Sequence, residues 1–345
     1  MRIRDRIEDL ARQSTGERAL RVAILDEIRR HVPFESFVWL TTDPDSSVGS
    51  LPLAGVPDLR EVPTLIRLRY VTADFRWTGI GTPVVSTLVE ATDGDLSQSR
   101  LWVEGLARHA ISDVVTTVLR DQYGCWGFID LWRVGGVFTR AECALLEDMA
   151  PILTNAVRRS LMSTFEGTSS PSPRLDGPAI VMLDDDLSLH TQTLQADAYL
   201  RALLPSEGHR APVPAAVYNV AAQVLAREAG IDHNPAEARL PLNDRWLTVR
   251  AARTEPWMGA ADTFIAVSIE IAAPGERTSI YTRVAGLSER EGEVLRHLVT
   301  GRDTRGAAAQ MFVSEHTVQD HLKSIFAKTG VNSRKMLIAR ATGAA

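Results

Sequence analysis

A polar helix face near the end of the chain carries the side chains best suited to specific hydrogen bonding. The stretch SEHTVQDHLKSIFAKTG (314–330) repeats apolar residues at helical spacing. The predicted buried stripe consists of Val318, Leu322, Ile325 and Phe326. The opposite face consists of Glu315, His316, Gln319, Asp320 and Lys323. Acids, an amide and a base can hydrogen-bond to water or to another macromolecule. This face is therefore either solvated or a surface that recognises another macromolecule.

Motifs of catalysis and metal binding are missing from the sequence. There is no GxxxxGK phosphate loop and no GxSxG nucleophile elbow. None of the eight histidines stands at metal-ligand spacing from a cysteine or an acid. The acidic run 184–186 lies between two strand-like runs, which favours a solvated turn over a phospho-acceptor or metal site. We therefore expect no catalytic residue, no metal and no cofactor.

Three further helices are predicted around the polar one. LSEREGEVLRHLVTG has a capping box of Ser288 and Glu291, and Gly301 is placed to end that helix. DTRGAAAQMF is a short second helix, and NSRKMLIARATG follows the polar helix as a fourth. The second helix and the polar helix are separated by three to four residues, which is the spacing of a helix-turn-helix.

These residues carry a family resemblance. GLSEREGEVLRHLVTGRDTRGAAAQMFVSEHTVQDHLKSIFAKTGVNSR resembles the DNA-binding domain of LuxR-type regulators over nearly 60 residues. Its specific pieces are LSERE, the stop at Gly301, VSEHTVQDHLKSIFAKTGV and the following SR. The resemblance implies an all-α, four-helix helix-turn-helix domain over 285–345 whose partner is double-stranded promoter DNA.

The resemblance also implies roles for single residues. A polar helix of about fifteen residues, roughly 22 Å long, can lie in the major groove. Gln319 would pair with adenine and Lys323 would donate to guanine. Asp320 would accept from cytosine or orient Lys323. Glu315 and His316 complete the expected DNA-binding face. The expected phosphate contacts are Thr304, Ser314, Thr317, Ser324, Lys328 and Arg334.

The second helix departs from the family pattern. Gly306 and Ala307 stand where members usually carry an acid and a branched aliphatic residue. A glycine inside a helix costs about 1 kcal/mol relative to alanine, and Ala307 removes core volume. We therefore expect a looser second helix within the same fold. Gln319 stands where many members carry a base, which predicts weaker nonspecific affinity.

The upstream chain predicts two further domains, so the fold class is multidomain α+β. The pattern of segment 1–165 predicts a helix, a strand, a stretch of loops and short helices, a pair of strands and a closing helix. This order resembles a GAF-like α/β sandwich. Pro151 should kink or interrupt the closing helix. Segment 178–272 reads as two strands, helices and further strands, and resembles a PAS-like α+β domain. Serine, proline and glycine predict linkers at 166–177 and 273–284.

Aromatic residues of the first segment suggest a ligand pocket. A GAF-like sheet could line an apolar ligand cavity with large aromatic side chains, although each of them is individually more typical of a core. The candidates are Trp39, Trp77, Trp102, Trp126, Phe128 and Trp132. The expected partner there is a small molecule.

Charge and composition indicate the partner of the terminal region and the compartment of the protein. Region 285–345 has nine Lys or Arg and six Asp or Glu, which gives it a net charge of +3. The whole chain has a net charge of −5, so the rest of the chain has −8. A basic terminal region on an acidic body favours an anionic partner for that region alone. No apolar run approaches the 18 residues of a membrane span. Two cysteines in apolar surroundings favour a reducing cytoplasm over a structural disulfide.

The sequence thus predicts a cytoplasmic, one-component transcriptional regulator. A homodimer is expected, paired through Met336, Leu337 and Ile338 and through the helix at 140–163, with RNA polymerase as a further partner. One alternative is a ligand-binding or oligomerisation module with a vestigial DNA-binding domain, motivated by the weak second helix. A second alternative is a hydrolase in the first segment, although no nucleophile–base arrangement supports it.

Overall fold

Two antiparallel sheets and a group of C-terminal helices make up the protein in the computed structural model. It describes residues 3–13, 16–166, 177, 179–204, 213–243, 245–256 and 263–343. The described chain divides into two compact units, of which one holds most of both sheets and the other holds the C-terminal helices. The predicted multidomain α+β class is confirmed. The predicted linker 166–177 falls almost entirely outside the described residues.

The first sheet is built from residues of the first segment. Its strand order is β2-β1-β5-β4-β3. The strands are β1 Ser36–Thr42, β2 Gly49–Gly55, β3 Val85–Thr87, β4 Ile111–Asp121 and β5 Gly124–Val134. The helices of the segment are α1 Ile3–Gln13, α2 Glu17–Arg29, α3 Val62–Val71, α4 Leu88–Ala91 and α5 Arg140–Ser160. Short 3-10 helices lie at Leu59–Glu61, Trp77–Gly79, Leu96–Gln98, Ala107–His109 and Leu161–Phe165, and a π-helical turn at Trp102–Leu106.

The second sheet repeats the strand order of the first. Counted within its own segment, each sheet reads 2-1-5-4-3. The strands are β6 Ala179–Leu183, β7 Leu189–Gln192, β8 Glu237–Leu242, β9 Arg245–Arg253 and β10 Ile265–Ile271. The helices are α6 Leu194–Leu203 and α7 Ala215–Glu228. The predicted hairpin is present, because β6 and β7 pair antiparallel and the acidic run 184–186 lies in their turn.

The two sheets share one compact unit because helix α7 is buried along most of its length. Ten of its residues are buried, and it packs against α3 and β2 of the first segment. A buried ion pair adds to this contact. Asp43, fully buried after β1, accepts from Arg239 of β8 at 2.6 Å and 2.7 Å. The bidentate geometry aligns β8 with the end of β1.

In the described residues, the C-terminal part of the second unit is a bundle of five helices instead of the predicted four. They are α8 Pro274–Val284, α9 Glu289–Val299, α10 Thr304–Met311, α11 Glu315–Thr329 and α12 Arg334–Thr342. The prediction of a linker at 273–284 is wrong. Proline at the first position suits a helix start, and the Glu276 carboxylate accepts from the Ala273 backbone N–H at 2.8 Å. Ile280, Tyr281 and Val284 are buried.

The closing helix of the first segment also differs from prediction. α5 continues as one α-helix through Pro151, so the alternative of an interruption at that residue is wrong. Leu146, Met149 and Leu153 are buried on either side of the proline. Burial of this apolar stripe offsets the roughly 3 kcal/mol that an interior proline costs.

Candidate nucleic-acid interface and sensor cavity

Helix α11 has the two faces that its sequence predicts. Ser314 caps its start, accepting from the Thr317 backbone N–H at 3.1 Å, and Gly330 ends it at φ 65°. Val318, Leu322 and Ile325 are buried, whereas Phe326 is only half-buried. The apolar stripe fixes the rotation of the helix on the bundle and leaves the polar face outward.

The outward face is exposed along two turns. Glu315, His316, Gln319, Asp320 and Lys323 are all exposed. The Lys323 Nζ lies 3.1 Å from Asp320 Oδ1, and the His316 Nε2 lies 3.5 Å from Asp320 Oδ2. The hydrogen bond from Lys323 lowers the pKa of Asp320. This contact is compatible with one of the two predicted roles of Asp320, that of orienting Lys323.

Thr304 connects three helices at the edge of this face. Its Oγ1 accepts from Arg334 Nη2 of α12 at 2.7 Å and lies 3.5 Å from Gln319 Nε2 of α11. Asp303 caps α10 through a 2.7 Å bond from the Gly306 backbone N–H. The structure thus brings Thr304, Gln319 and Arg334 together beside the exposed face.

Phe312 stands at the turn between α10 and α11. It is 95 % exposed and has a φ of 56°, a left-handed conformation that non-glycine residues seldom adopt. The sequence reasoning did not single it out, since an aromatic residue between two short helices is more typical of a core. Val313 and Ser314 then complete the turn into α11.

Glu291 anchors α11 to α9. Its carboxylate accepts from Ser324 Oγ at 2.6 Å, from Lys328 Nζ at 2.7 Å and from the Ser288 backbone N–H at 2.6 Å. Desolvation alone would raise the pKa of Glu291, but these three hydrogen bonds outweigh it and lower the pKa to about 2. Ser324 and Lys328, which the resemblance suggests as phosphate contacts, are therefore both hydrogen-bonded to α9.

Removing this anchor gives a testable effect. Glu291→Gln should destabilise the second unit by about 2–3 kcal/mol, because a neutral amide loses the charge-assisted bond to Lys328. The carboxylate contribution is complete above the ordinary glutamate pKa of about 4.3, and it is lost as the pH falls towards 2. Hydrogen exchange of α9 and α11 in the full chain, measured from pH 7 to pH 3, checks both statements.

The control for Glu291 lies on the same helix. Glu289→Gln removes an exposed carboxylate from the first turn of α9 and should leave exchange nearly unchanged. Equal exchange in the two variants would contradict the anchor.

The predicted dimer residues do not share a surface. Met336 is 42 % exposed and Ile338 is half-buried, but Leu337 is fully buried in the bundle. Consecutive helical residues point about 100° apart, so three in a row cannot lie on one face. Leu337 is therefore a core residue, and the prediction that it pairs two copies is wrong.

A cavity lies on one face of the first sheet. It is lined by apolar side chains of β1, β2 and α3 and by Leu101, Leu106 and Val114, and it encloses about 50 Å³ accessible to the centre of a water molecule. Two of the predicted aromatic candidates, Trp77 and Trp132, line it.

The other aromatic candidates lie elsewhere. Trp39 is buried on the opposite face of β1, since Val38 and Leu40 face the cavity and side chains alternate along a strand. Trp126 lies in a bulge of β5, where the pairing moves from Gly127 to Cys125. Phe128 and Trp102 lie near the cavity without lining it. The ring of Phe128 stacks on that of Trp77, with 5.4 Å between the ring centroids. The Trp102 Nε1–H donates to the Ile111 carbonyl at 2.8 Å.

A buried polar cluster lies beneath the cavity, and the sequence reasoning missed it. Asp130 of β5 accepts from Thr116 at 2.6 Å, from Trp77 Nε1 at 3.0 Å and from Arg69 Nη2 at 3.2 Å. Arg69 also donates to the Phe75 carbonyl. Burial lowers the pKa of Arg69, and the nearby Asp130 opposes this shift. A signal was present, because one acid interrupts the apolar run GCWGFIDLW.

Among the residues that the structure describes, neither a metal site nor a membrane span is found. No three His, Cys, Asp or Glu side chains there are grouped so as to hold a metal ion. No helix in the same ranges is long and apolar enough to cross a membrane.

Comparisons with known proteins match the helices around this interface. The family model of bacterial regulatory proteins of the luxR family matches residues 285–341, from the residues before α9 into α12. Spore germination protein GerE of Bacillus subtilis is 36 % identical over 52 residues, which cover 70 % of that protein and 15 % of this chain. The chain belongs to the LuxR family. The predicted LuxR-type resemblance is confirmed.

The chain spans less than a third of the length of another relative of this LuxR-family protein. The nitrate/nitrite response regulator protein homolog of Haemophilus influenzae is 41 % identical over 59 residues. The match covers 28 % of that protein and 17 % of this chain. The crystal structure of Escherichia coli SdiA has a TM-score of 0.37 at 12 % identity, over 99 % of this chain and 96 % of that one. SdiA in complex with octanoyl-rac-glycerol has a TM-score of 0.30 at 14 % identity, over 99 % and 93 %.

Proposed function

We propose that this LuxR-family protein binds double-stranded promoter DNA sequence-specifically and regulates transcription in response to a signal at its two-sheet unit. The observation that carries the proposal is the exposed polar face of α11, held outward by a buried apolar stripe and by Glu291. A helix of fifteen residues, roughly 22 Å long, is long enough to enter a major groove.

We assign the recognition of DNA bases to two side chains. Among the described residues, the Gln319 side chain has one hydrogen bond, a long one of 3.5 Å to Thr304, so its amide is available to pair with the N6 and N7 of adenine. Lys323 is oriented by Asp320 and would donate to guanine. Asp320 offsets part of the positive charge, which lowers nonspecific attraction to the DNA backbone and raises the share of affinity that depends on sequence.

We assign the contacts with DNA phosphates to side chains around the start of α11 and on α12. Ser314 and Thr317 have hydroxyls 2.9 Å apart at the first turn, where backbone N–H groups also favour an anion. Thr304 and Arg334 form the second site. Ser324 and Lys328 are assigned instead to holding α11 on α9, because both are hydrogen-bonded to Glu291.

We further infer that the active species is a cytoplasmic homodimer acting as a one-component regulator. Two recognition helices about 34 Å apart match one turn of DNA. Met336, 42 % exposed, offers apolar surface on α12, and α5 is a second candidate contact. RNA polymerase is the expected partner on the bound promoter.

Replacing Lys323 tests the DNA-binding proposal. Lys323→Ala should weaken binding to the preferred duplex by roughly 5- to 150-fold, which corresponds to the loss of about 1–3 kcal/mol from one base contact. Preference at one base pair should relax at the same time. Gel retardation of duplexes that the wild-type protein enriches from a random pool measures both.

The matched control removes a positive charge from the other unit. Arg201→Ala on α6, 77 % exposed at its side chain, should retain wild-type affinity and preference. The proposal fails if the wild-type protein retards no duplex at low salt, which is the result expected of a module with a vestigial DNA-binding domain.

A further inference from the structure

We infer that a basic corner of the second unit binds the phosphate backbone of the DNA and supplies most of the salt-dependent affinity, while the polar face of α11 supplies the sequence preference. The basic corner consists of Arg302, Arg305, Arg334 and Lys335, which lie at the starts of α10 and α12. This division of roles rests on the proposed DNA-binding function, and the salt dependence of binding distinguishes the failure of one from the failure of the other.

The charges of the α11 face alone attract DNA weakly. Glu315 and Asp320 are acids and Lys323 is a base, so the face has a net charge of −1 with His316 neutral. Lys323 is also hydrogen-bonded to Asp320 at 3.1 Å. A protein obtains essentially all of its nonspecific affinity for DNA by neutralising phosphates with Lys or Arg. That positive charge therefore has to come from another surface of the second unit.

The unpaired bases of region 285–345 are concentrated in the basic corner. Six of the nine Lys or Arg side chains of this region donate to an acid, a carbonyl or a hydroxyl of a described residue: Arg290, Arg296, Lys323, Lys328, Arg334 and Arg340. The other three are Arg302, Arg305 and Lys335, which are exposed and form no hydrogen bond or ion pair with a described residue. Their positive charge is therefore available to an external anion.

Thr304 places the basic corner at the edge of the α11 face. Its Oγ1 accepts from Arg334 Nη2 at 2.7 Å and lies 3.5 Å from Gln319 Nε2. Arg305 and Lys335 are the next residues along α10 and α12, so two of the unpaired bases adjoin this contact. In a helix-turn-helix the first helix crosses the DNA backbone while the second enters the major groove. The start of α10 therefore meets phosphates when α11 lies in the groove.

Gly306 leaves Arg302 without a partner. A Cβ at residue 306 would lie 3.6 Å from the Cβ and 3.9 Å from the Cγ of Arg302, so an acidic side chain there would be within reach of the guanidinium. The neighbouring acid, Asp303, already caps α10, since its Oδ1 accepts from the Gly306 backbone N–H at 2.7 Å. With Asp303 included, four bases and one acid give the corner a net charge of +3.

The salt dependence of DNA binding by the full-length protein tests the basic corner. In Arg302→Gln/Arg305→Gln/Lys335→Gln, the slope of log K against log salt concentration should be about 2.7 shallower, because each phosphate contact contributes about 0.9. The affinity lost relative to wild type should accordingly shrink about 40-fold between about 50 mM and 200 mM salt. The ratio of affinities for the preferred duplex and a scrambled duplex should stay at the wild-type value. Gln319→Ala should lower that ratio and keep the wild-type slope.

Two variants of Gly306 separate charge from helix stability. Glu and Gln both favour a helix over glycine, but only Gly306→Glu can neutralise Arg302, so only this variant should have a slope shallower by about 0.9. Arg290→Gln removes a base that is paired with Glu293 and should keep the wild-type slope. A wild-type slope in the triple variant, or equal slopes for the two Gly306 variants, would overturn the role of the corner. Wild-type protein that binds no duplex at any salt concentration would overturn the proposed function itself.

Discussion

Replacing Arg69 with methionine is expected to destabilise the two-sheet unit by about 3–5 kcal/mol, because Asp130 is left as an unpaired buried charge. Asp130 is 2 % exposed, and its remaining partners Thr116 and Trp77 donate neutral hydrogen bonds only. Urea unfolding followed by circular dichroism measures the loss as a lower midpoint at unchanged slope.

Two further variants make the Arg69 result specific. The double variant Arg69→Met/Asp130→Leu should recover most of the lost stability, since replacing a whole buried ion pair with apolar residues is often neutral. Arg60→Met breaks an ion pair with Asp58 in which the arginine is 83 % exposed, and should have little effect. A double variant no more stable than the single one would contradict the charge argument.

Replacing Arg239 with methionine is expected to weaken the contact between the two sheets by a similar amount, about 3–5 kcal/mol. Asp43 is fully buried and would keep backbone N–H donors only, from Asp45 at 2.8 Å, from Ser46 at 3.3 Å and from residue 239 itself at 2.8 Å. Because the pair joins β8 to the end of β1, hydrogen exchange should accelerate in β8 and α7 while β4 and β5 stay protected.

The neighbouring strand provides the control for Arg239. Arg250→Met breaks the exposed ion pair with Glu237 on β9 and β8, where the side chains are 42 % and 32 % exposed. Exchange should then remain close to wild type. Uniform acceleration across both sheets in Arg239→Met would indicate global destabilisation and contradict a local role for the pair.

Most helices and strands could be predicted because their signals are local. SFVWLTT is β1 as it stands, and the hairpin around DQYG joins β4 to β5. Ser288, Ser314 and Gly330 act where capping chemistry predicts. The failure at α8 is also local in origin. Ala-Pro-Gly resembles a linker, but proline at the first helical position, with Glu276 two residues later, starts a helix instead.

The candidate sites were predicted only in part, because burial depends on contacts that are distant in sequence. The polar face of α11 follows from helical periodicity alone. The roles of Ser324 and Lys328 depend on Glu291, more than thirty residues away, and periodicity does not report that contact. Among the aromatic candidates, strand alternation and a bulge separate Trp77 and Trp132 from Trp39 and Trp126.

The sequence by itself determined the LuxR-type region, the caps of its helices and the exposed reading face, because each depends on residues within a few turns of one another. Only the tertiary structure decided which side chains carry buried charge. Arg69 meets Asp130 across 61 positions and Arg239 meets Asp43 across 196. An ionised side chain enters a protein interior only where a partner is already in place, and the partner's position is set by the packing of both sheets.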